Sequence, residues 1–331
     1  MIKPLENLRQ LLEYWAVLAA FAIMHNIPRR VSRFVAPAFG WLGYFVPGFG
    51  SIAVMNLKAA FPEKSDAEIR QIARDSFAHL FLTFTEFFWI KGRSEQFKDI
   101  VECEEECKRT AIAAKQSGSK GLIFVTPHAG NWEYAGMTLA LLLDFKVGVV
   151  VRTARNPYLD KFISSGRMVE GVRVIHSKGA VRGMVNAIED GYAVGTLIDQ
   201  NTRARDGGIF VNFFGMPVPV SRAPAAMARK GNYFVATGAT RRIGGKVIAQ
   251  FKPLPKPTAE YTSDEEMTQD LMNMAEEFIR KAPAQYLWFY RRFQYIPPDT
   301  PEEVRRRYPA YAKVADERFF NKGVARQNPL R

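Results

Sequence analysis

The residues best suited to do chemistry lie in Gly121-Leu-Ile-Phe-Val-Thr-Pro-His-Ala-Gly-Asn-Trp-Glu133. An apolar strand is predicted to run into Pro127, so that His128 stands just past its carboxyl end, where open α/β sheets place their sites. Ala129-Gly130-Asn131 then turns the chain into a helix. Asn131 suits the N-cap, which puts Glu133 in the first helical turn, where the macrodipole favours an ionised carboxylate. A tight turn can bring the Glu133 carboxylate onto one imidazole nitrogen while the other faces the cleft. That is the base-and-orienter arrangement of hydroxyl activation. The histidine takes a proton from a hydroxyl as the oxygen attacks a carbonyl, and the carboxylate fixes the tautomer and stabilises the imidazolium.

The other histidines lack this setting. His25 and His79 fall in apolar helices and His176 ends a strand, which are structural positions. Neither a Gly-x-Ser-x-Gly elbow nor a His-Glu-x-x-His motif is present, which argues against a serine hydrolase and a zincin. The two cysteines, Cys103 and Cys107, sit in an acidic run with no second Cys/His pair at ligand spacing nearby, so neither a metal nor a disulfide is expected. No cofactor motif is found.

The elements that must hold His128 are legible around it. From Gly121 onward, short continuous apolar runs at Leu122 to Thr126, Val147 to Arg152, Val172 to His176 and Val194 to Asp199 alternate with predicted helices at Trp132 to Leu143, Pro157 to Val169 and Val181 to Asp190. Runs of this kind fit strands covered on both faces, and the series is β-α-β, giving an α/β fold with a mostly parallel central sheet flanked by helices. Tyr233 to Arg241 and Lys246 to Lys252, joined across Gly244-Gly245, predict an antiparallel hairpin that extends the sheet. Ser263 with Glu266 opens a last helix that runs to about Arg280.

Residues 1–115 read as helical throughout, with Ser65-Asp-Ala-Glu68 resembling a capping box. The apolar stretch Tyr14 to Met24 is shorter than the roughly 20 residues that a spanning helix needs. The uncharged stretch Phe34 to Met55 is interrupted by Pro37, Pro47 and several glycines. The region around 11–55 is therefore expected to be a hydrophobic hairpin or interfacial anchor, with Arg29, Arg30 and Arg33 near phosphate headgroups. Two core helices of a soluble protein, or one spanning helix from Leu11 through Ile27, are the other readings. The expected division is a helical membrane-associated region over 1–115, an α/β catalytic domain over 116–296 and a surface tail over 297–331. A net charge of +13 favours an anionic partner. The basic residues are not interleaved with exposed aromatics as in a nucleic-acid module, so nucleic acid is not expected.

With these residues in place, the chain resembles a known family. The His-x4-Glu box, Ile198-Asp199-Gln200-Asn201 and Val211-Asn-Phe-Phe-Gly215 look like those of the late acyltransferases of lipid A biosynthesis, within the lysophospholipid acyltransferase superfamily. Asn56-Leu57, Phe61-Pro62-Glu63 and Glu86 match its amino-terminal pattern, and Pro283 to Phe293 its carboxyl-terminal one. The resemblance implies an enzyme at the cytoplasmic face of the bacterial inner membrane, with an acyl carrier protein thioester as donor and a phosphorylated, acylated glucosamine disaccharide as acceptor. It implies catalysis by His128 and Glu133, an arginine contribution nearest to Arg167, and an acid near the site at Asp199. Tyr290 stands where family members often carry His, and the Glu-Gly-Thr-Arg box of glycerolipid acyltransferases is missing.

Arg152, Arg155, Lys161, Arg167, Lys178 and Arg182 follow the box and suit acceptor phosphates or the acidic carrier protein. Arg152, Arg167, Asp199 and Asn131 are accordingly the candidate substrate-binding residues. Chain length has no assignable determinant; Phe210, Phe213 and Phe214 are among the candidates. The competing functions are transfer to another glycolipid or lysophospholipid, a thioesterase-like hydrolase, and a non-catalytic membrane-surface binding protein.

Overall fold

The four apolar runs lie side by side in a seven-stranded sheet and reach one of its edges, in the strand order β1-β9-β8-β2-β5-β3-β4. The structure, a computed structural model, describes residues 2–151, 153–167, 171–177 and 179–322. The strands are β1 (Val101–Cys103), β2 (Leu122–Thr126), β3 (Val147–Val151), β4 (Val172–His176) and β5 (Ala193–Leu197), followed by β6 (Gly208–Phe213) and β7 (Met216–Ser221), then β8 (Phe234–Ile243) and β9 (Lys246–Pro253). Neighbours in the large sheet run parallel except β8 and β9, which form the expected hairpin. β6 and β7 form a separate two-stranded antiparallel sheet.

Two cores follow from the alternation of side chains along β2. Ile123 and Val125 pack with Met184, Ala187, Met227 and Leu271 on one face. Those residues belong to α9 (Ala180–Glu189), α10 (Ala223–Gly231) and α11 (Asp264–Lys281). Leu122 and Phe124 pack on the other face with Cys107, Tyr134 and Ala135, from α6 (Glu105–Gln116) and α7 (Trp132–Leu141). α8 (Pro157–Arg167) connects β3 to β4, and Ser263 caps α11 by accepting from the Glu266 amide.

The amino-terminal region holds α1 (Ile2–Asn26), α2 (Arg29–Tyr44), α3 (Phe49–Ala60), α4 (Asp66–Ile90) and α5 (Phe97–Ile100). The Ser65–Glu68 capping box starts α4. Among the described residues no single helix is long and apolar enough to cross a membrane, and α2 and α3 form an apolar pair bent by 93°. The expectation that Arg29 and Arg33 face headgroups is corrected. Arg29 lies 3.8 Å from Glu86, and Arg33 donates to the Gly245 carbonyl. Only Arg30 of the three is exposed.

Two further differences have simple causes. β1 falls inside the region read as helical throughout, because three residues at a sheet edge carry no pattern of their own. Beyond residue 297, β11 (Lys313–Val314) pairs with β10 (Tyr295–Ile296) and Phe319 is buried, so this segment is packed against the domain as well as covering it.

Candidate active site

β2 and β5 are parallel neighbours with Thr126 opposite Leu197. Carrying that register two residues past the strand ends sets His128 beside Asp199. The Ile198 amide still donates to the Thr126 carbonyl at 3.2 Å, and the two loops then lock together side chain to backbone. Asp199 accepts from the His128 amide at 3.0 Å and from the imidazole Nδ1 at 2.7 Å. The carboxylate is 2 % exposed and the histidine side chain 12 %.

The orienting position expected for Glu133 is therefore taken by Asp199. An ionised carboxylate only accepts, so Nδ1 carries the proton and Nε2 is left as the basic nitrogen. Burial by itself raises the Asp199 carboxyl, but the charge and hydrogen bonds of His128, with Arg292 beyond, outweigh it and hold the group below its ordinary value. The imidazole also stands edge-to-face against Trp132, with centroids 5.2 Å apart.

Nε2 opens on a cavity of about 560 Å³ between α7 and the carboxyl halves of β2, β3 and β5. Glu133 lines the same cavity, so His128 and Glu133 share a space even though Asp199 holds the ring. Gln200 sits at its mouth, its Nε2 3.4 Å from the imidazole Nε2. Deeper in, Phe124, Val149 and Gly195 stand opposite one another across the three strands and, with Gly136 of α7, enclose an apolar end.

The turn that presents His128 is fixed from several sides. Gly130 has φ +62°, and a Cβ there would overlap the Thr240 carbonyl, so only glycine fits. The Gly130 amide donates to Gln285 O at 2.7 Å and the Leu287 amide to His128 O at 3.2 Å. Asn131 caps α7 by accepting from the Tyr134 amide at 3.1 Å, as the sequence predicts. Its other amide atom donates to Glu86 at 2.9 Å. With 0 % exposure and its side chain engaged in this way, Asn131, expected among the substrate-binding residues, builds the turn and is not among the residues lining the cavity.

Glu86 anchors a buried polar cluster beneath the turn. Arg242 bonds it at 2.7 Å and also reaches Thr83 at 2.8 Å and His79 Nδ1 at 2.9 Å. Burial pushes the Glu86 carboxyl up, and Arg242, Asn131 and Arg29 more than reverse this, leaving it lowered. His79 must accept from Arg242, so it is neutral, and burial together with that positive charge lowers it to about 3. In the unfolded chain it takes up a proton near its ordinary value of 6.5. Between those two values the unfolded state binds the extra proton, so folding stability falls by about 1.4 kcal/mol per pH unit as pH drops. Unfolding free energies measured from pH 7 to pH 5 are expected to decline less steeply in His79→Gln, whose amide oxygen still accepts from Arg242. An unchanged slope would contradict this role.

The other sequence-selected residues are dispersed. Arg152 and Lys178 lie outside the described residues, as does the side chain of Arg167, which ends α8. Phe213 and Phe214 are core residues, and Phe210 stacks on Phe319, so none lines the cavity. Tyr290 is also absent from its wall; its hydroxyl accepts from the Asn201 amide at 2.9 Å.

An imidazole held by a buried carboxylate and opening on a largely apolar cavity can act as a general base toward a lipid-like substrate. Residues 2–295 match the family described as bacterial lipid A biosynthesis acyltransferase, and the chain belongs to that family. It is similar to the lipid A biosynthesis palmitoleoyltransferase of Escherichia coli (strain K12), with 26% identity over 86% of this chain and 91% of the relative. The lauroyltransferase of the same organism is 25% identical over 87% and 93%, and its myristoyltransferase 23% over 89% and 91%. The protein is an acyltransferase of lipid A biosynthesis.

Proposed function

We propose that the protein moves a fatty acyl chain from an acyl carrier protein thioester to a hydroxyl of a lipid A precursor, with His128 as general base and no acyl-enzyme. The observation that carries this reading is the His128–Asp199 pair, whose Nε2 faces the apolar cavity. The acyl chain lies between α7 and the sheet, which brings its thioester carbonyl to the mouth near Nε2. As the acceptor hydroxyl attacks that carbon, Nε2 takes its proton and Asp199 stabilises the imidazolium. The tetrahedral intermediate collapses by breaking the C–S bond, and the imidazolium returns the proton to the departing thiolate. Gln200, whose amide nitrogen stands 3.4 Å from the imidazole Nε2, donates to the developing oxyanion. Glu133, across the cavity, holds the acceptor hydroxyl.

The amino-terminal helices support a location on the inner membrane's cytoplasmic face. Trp15, Phe34, Trp41 and Phe45 are 64 %, 86 %, 53 % and 60 % exposed. Apolar groups at that density suit lipid contact better than water. The purified protein is to be offered acyl carrier protein and coenzyme A thioesters with disaccharide and glycerolipid acceptors, and the products weighed by mass spectrometry. The reading expects one added acyl chain on the disaccharide from the carrier protein donor. Acylation of another glycolipid or a lysophospholipid instead would replace the acceptor, and fatty acid released equally with and without acceptor would indicate a hydrolase.

Gly136 supplies a sharper test of where the chain lies. A Cβ at Gly136 meets only Val149, at an ordinary 3.6 Å, so a larger side chain there enters the cavity without displacing backbone. Gly136→Leu is expected to move the preferred donor at least two carbons shorter. At about 0.8 kcal/mol per methylene, discrimination between those donors changes a little over tenfold. A donor profile identical to wild type would place the chain elsewhere.

A further inference from the structure

The loop that carries Asp199 is held by a part of the chain that touches no substrate cavity. Asn201 is gripped at three points: its amide donates to the Tyr290 hydroxyl at 2.9 Å, its Nδ2 donates to Arg291 O at 2.9 Å, and its Oδ1 accepts from Arg292 Nη1 at 2.5 Å. The gripping segment is itself anchored by Asn56 of α3, whose Nδ2 donates to Trp288 O at 2.6 Å and to Tyr290 O at 2.7 Å. Asn56 is 0 % exposed. The motifs at 56, 198–201 and 283–293, far apart in sequence, thus form one buried connection ending at the His128–Asp199 pair.

Arg292 is the unusual member. It is 1 % exposed, and among the described residues it donates to Asn201 and to Pro219 O, the latter at 3.2 Å. Its Nε and Nη2 have no hydrogen-bond partner among the described residues. The guanidinium lies over the Phe213 ring, 5.4 Å from the centroid. Tyr286, Tyr290 and Tyr311 lie around it, and the negative charge of Asp199 partly offsets the lowering that burial imposes on the guanidinium. Asp199 in turn has His128 and Arg292 as neighbours, with Tyr286 and Tyr290 beside it. Burying a cation with so few bonds is costly, and packing alone would be served as well by an apolar side chain.

We propose that Arg292 is a positioning residue for the proposed reaction: through Asn201 it holds the Asp199 loop, and its charge balances Asp199 so that His128 stays neutral and able to accept a proton. The sign follows from the pairing. With Arg292 present, the Asp199 charge is shared between a permanent cation and the imidazole. Without it, that negative charge acts on His128 alone and draws a proton onto Nε2, which disables the base. Glu133 lines the same cavity.

The inference rests on His128 as the base, and it can be read without turnover. The protein has only four histidines, so their proton NMR titrations can be followed in detergent and His128 assigned by its loss in His128→Gln. Arg292→Met is expected to raise the His128 pKa by about one unit, with the acid limb of kcat/KM moving up by the same amount. Arg292→Lys keeps the charge and restores the wild-type titration. Should the Met variant fail to fold, Arg292→Gln, which keeps an amide donor but no charge, is expected to show the same upward shift. An unmoved or lowered His128 pKa in a folded uncharged variant overturns the proposal. Absence of acyl transfer by wild type would instead strike the proposed reaction and leave this titration readable.

Discussion

Asp199→Asn is expected to lower kcat by about 10²- to 10⁴-fold with KM for both substrates little changed. The carboxylate binds the His128 ring and its amide at once, so asparagine preserves the shape of the loop but presents one oxygen and one donor. If the oxygen meets the ring, the charge that stabilises the imidazolium is gone. If the donor does, Nδ1 must become the acceptor and Nε2 carries the proton, which removes the base. Glu133→Gln leaves this pairing intact, so its effect is expected on acceptor KM more than on kcat. Steady-state kinetics of the two variants separate the roles. A near-normal Asp199→Asn beside an inactive Glu133→Gln would return the orienting part to Glu133.

The second large effect is on folding. Glu86→Gln leaves the shape of the buried cluster but strips the carboxylate from Arg242 and Arg29, whose side chains are 8 % and 20 % exposed. Removing one partner of a buried ion pair costs about 3–5 kcal/mol, because the remaining charge stays out of water without compensation. The Asn131 side-chain amide also donates to the Glu86 carboxylate, so the start of α7 loosens with it. Chemical unfolding is expected to show that loss, and residual activity to fall with it as the His128 turn loses its support. A change below about 1 kcal/mol would mean that Arg242 finds other partners, Thr83 being the nearest.

The sequence made the local features readable and hid the contact that matters most. β2 to β5 were predicted within a residue or two at most ends, since strands covered on both faces are written as unbroken apolar runs. The Ser65, Asn131 and Ser263 caps were legible because capping is a property of three or four adjacent residues. The β6–β7 hairpin was visible only as part of a motif, because Pro217 and Pro219 obscure a strand pattern.

His128 and Asp199 are separated by 71 positions. Their meeting depends on β5 returning to lie between β2 and β3. Nothing local encodes that order, so a reading of the box alone favours the nearby Glu133. The fate of Arg29 and Arg33 was hidden for the same reason: their partners, Glu86 and Gly245, come from distant elements.

The central claim is that His128 is the base of an acyl transfer, and the most direct test sets wild type beside His128→Ala in one assay. Both proteins would be solubilised in the same detergent and given the carrier protein thioester and disaccharide acceptor, with acylated product followed by mass spectrometry. The account predicts a single added acyl chain with wild type, and with the variant a rate about 10²- to 10⁴-fold lower at unchanged donor binding. A folded His128→Ala protein that acylates the acceptor at the wild-type rate would contradict it.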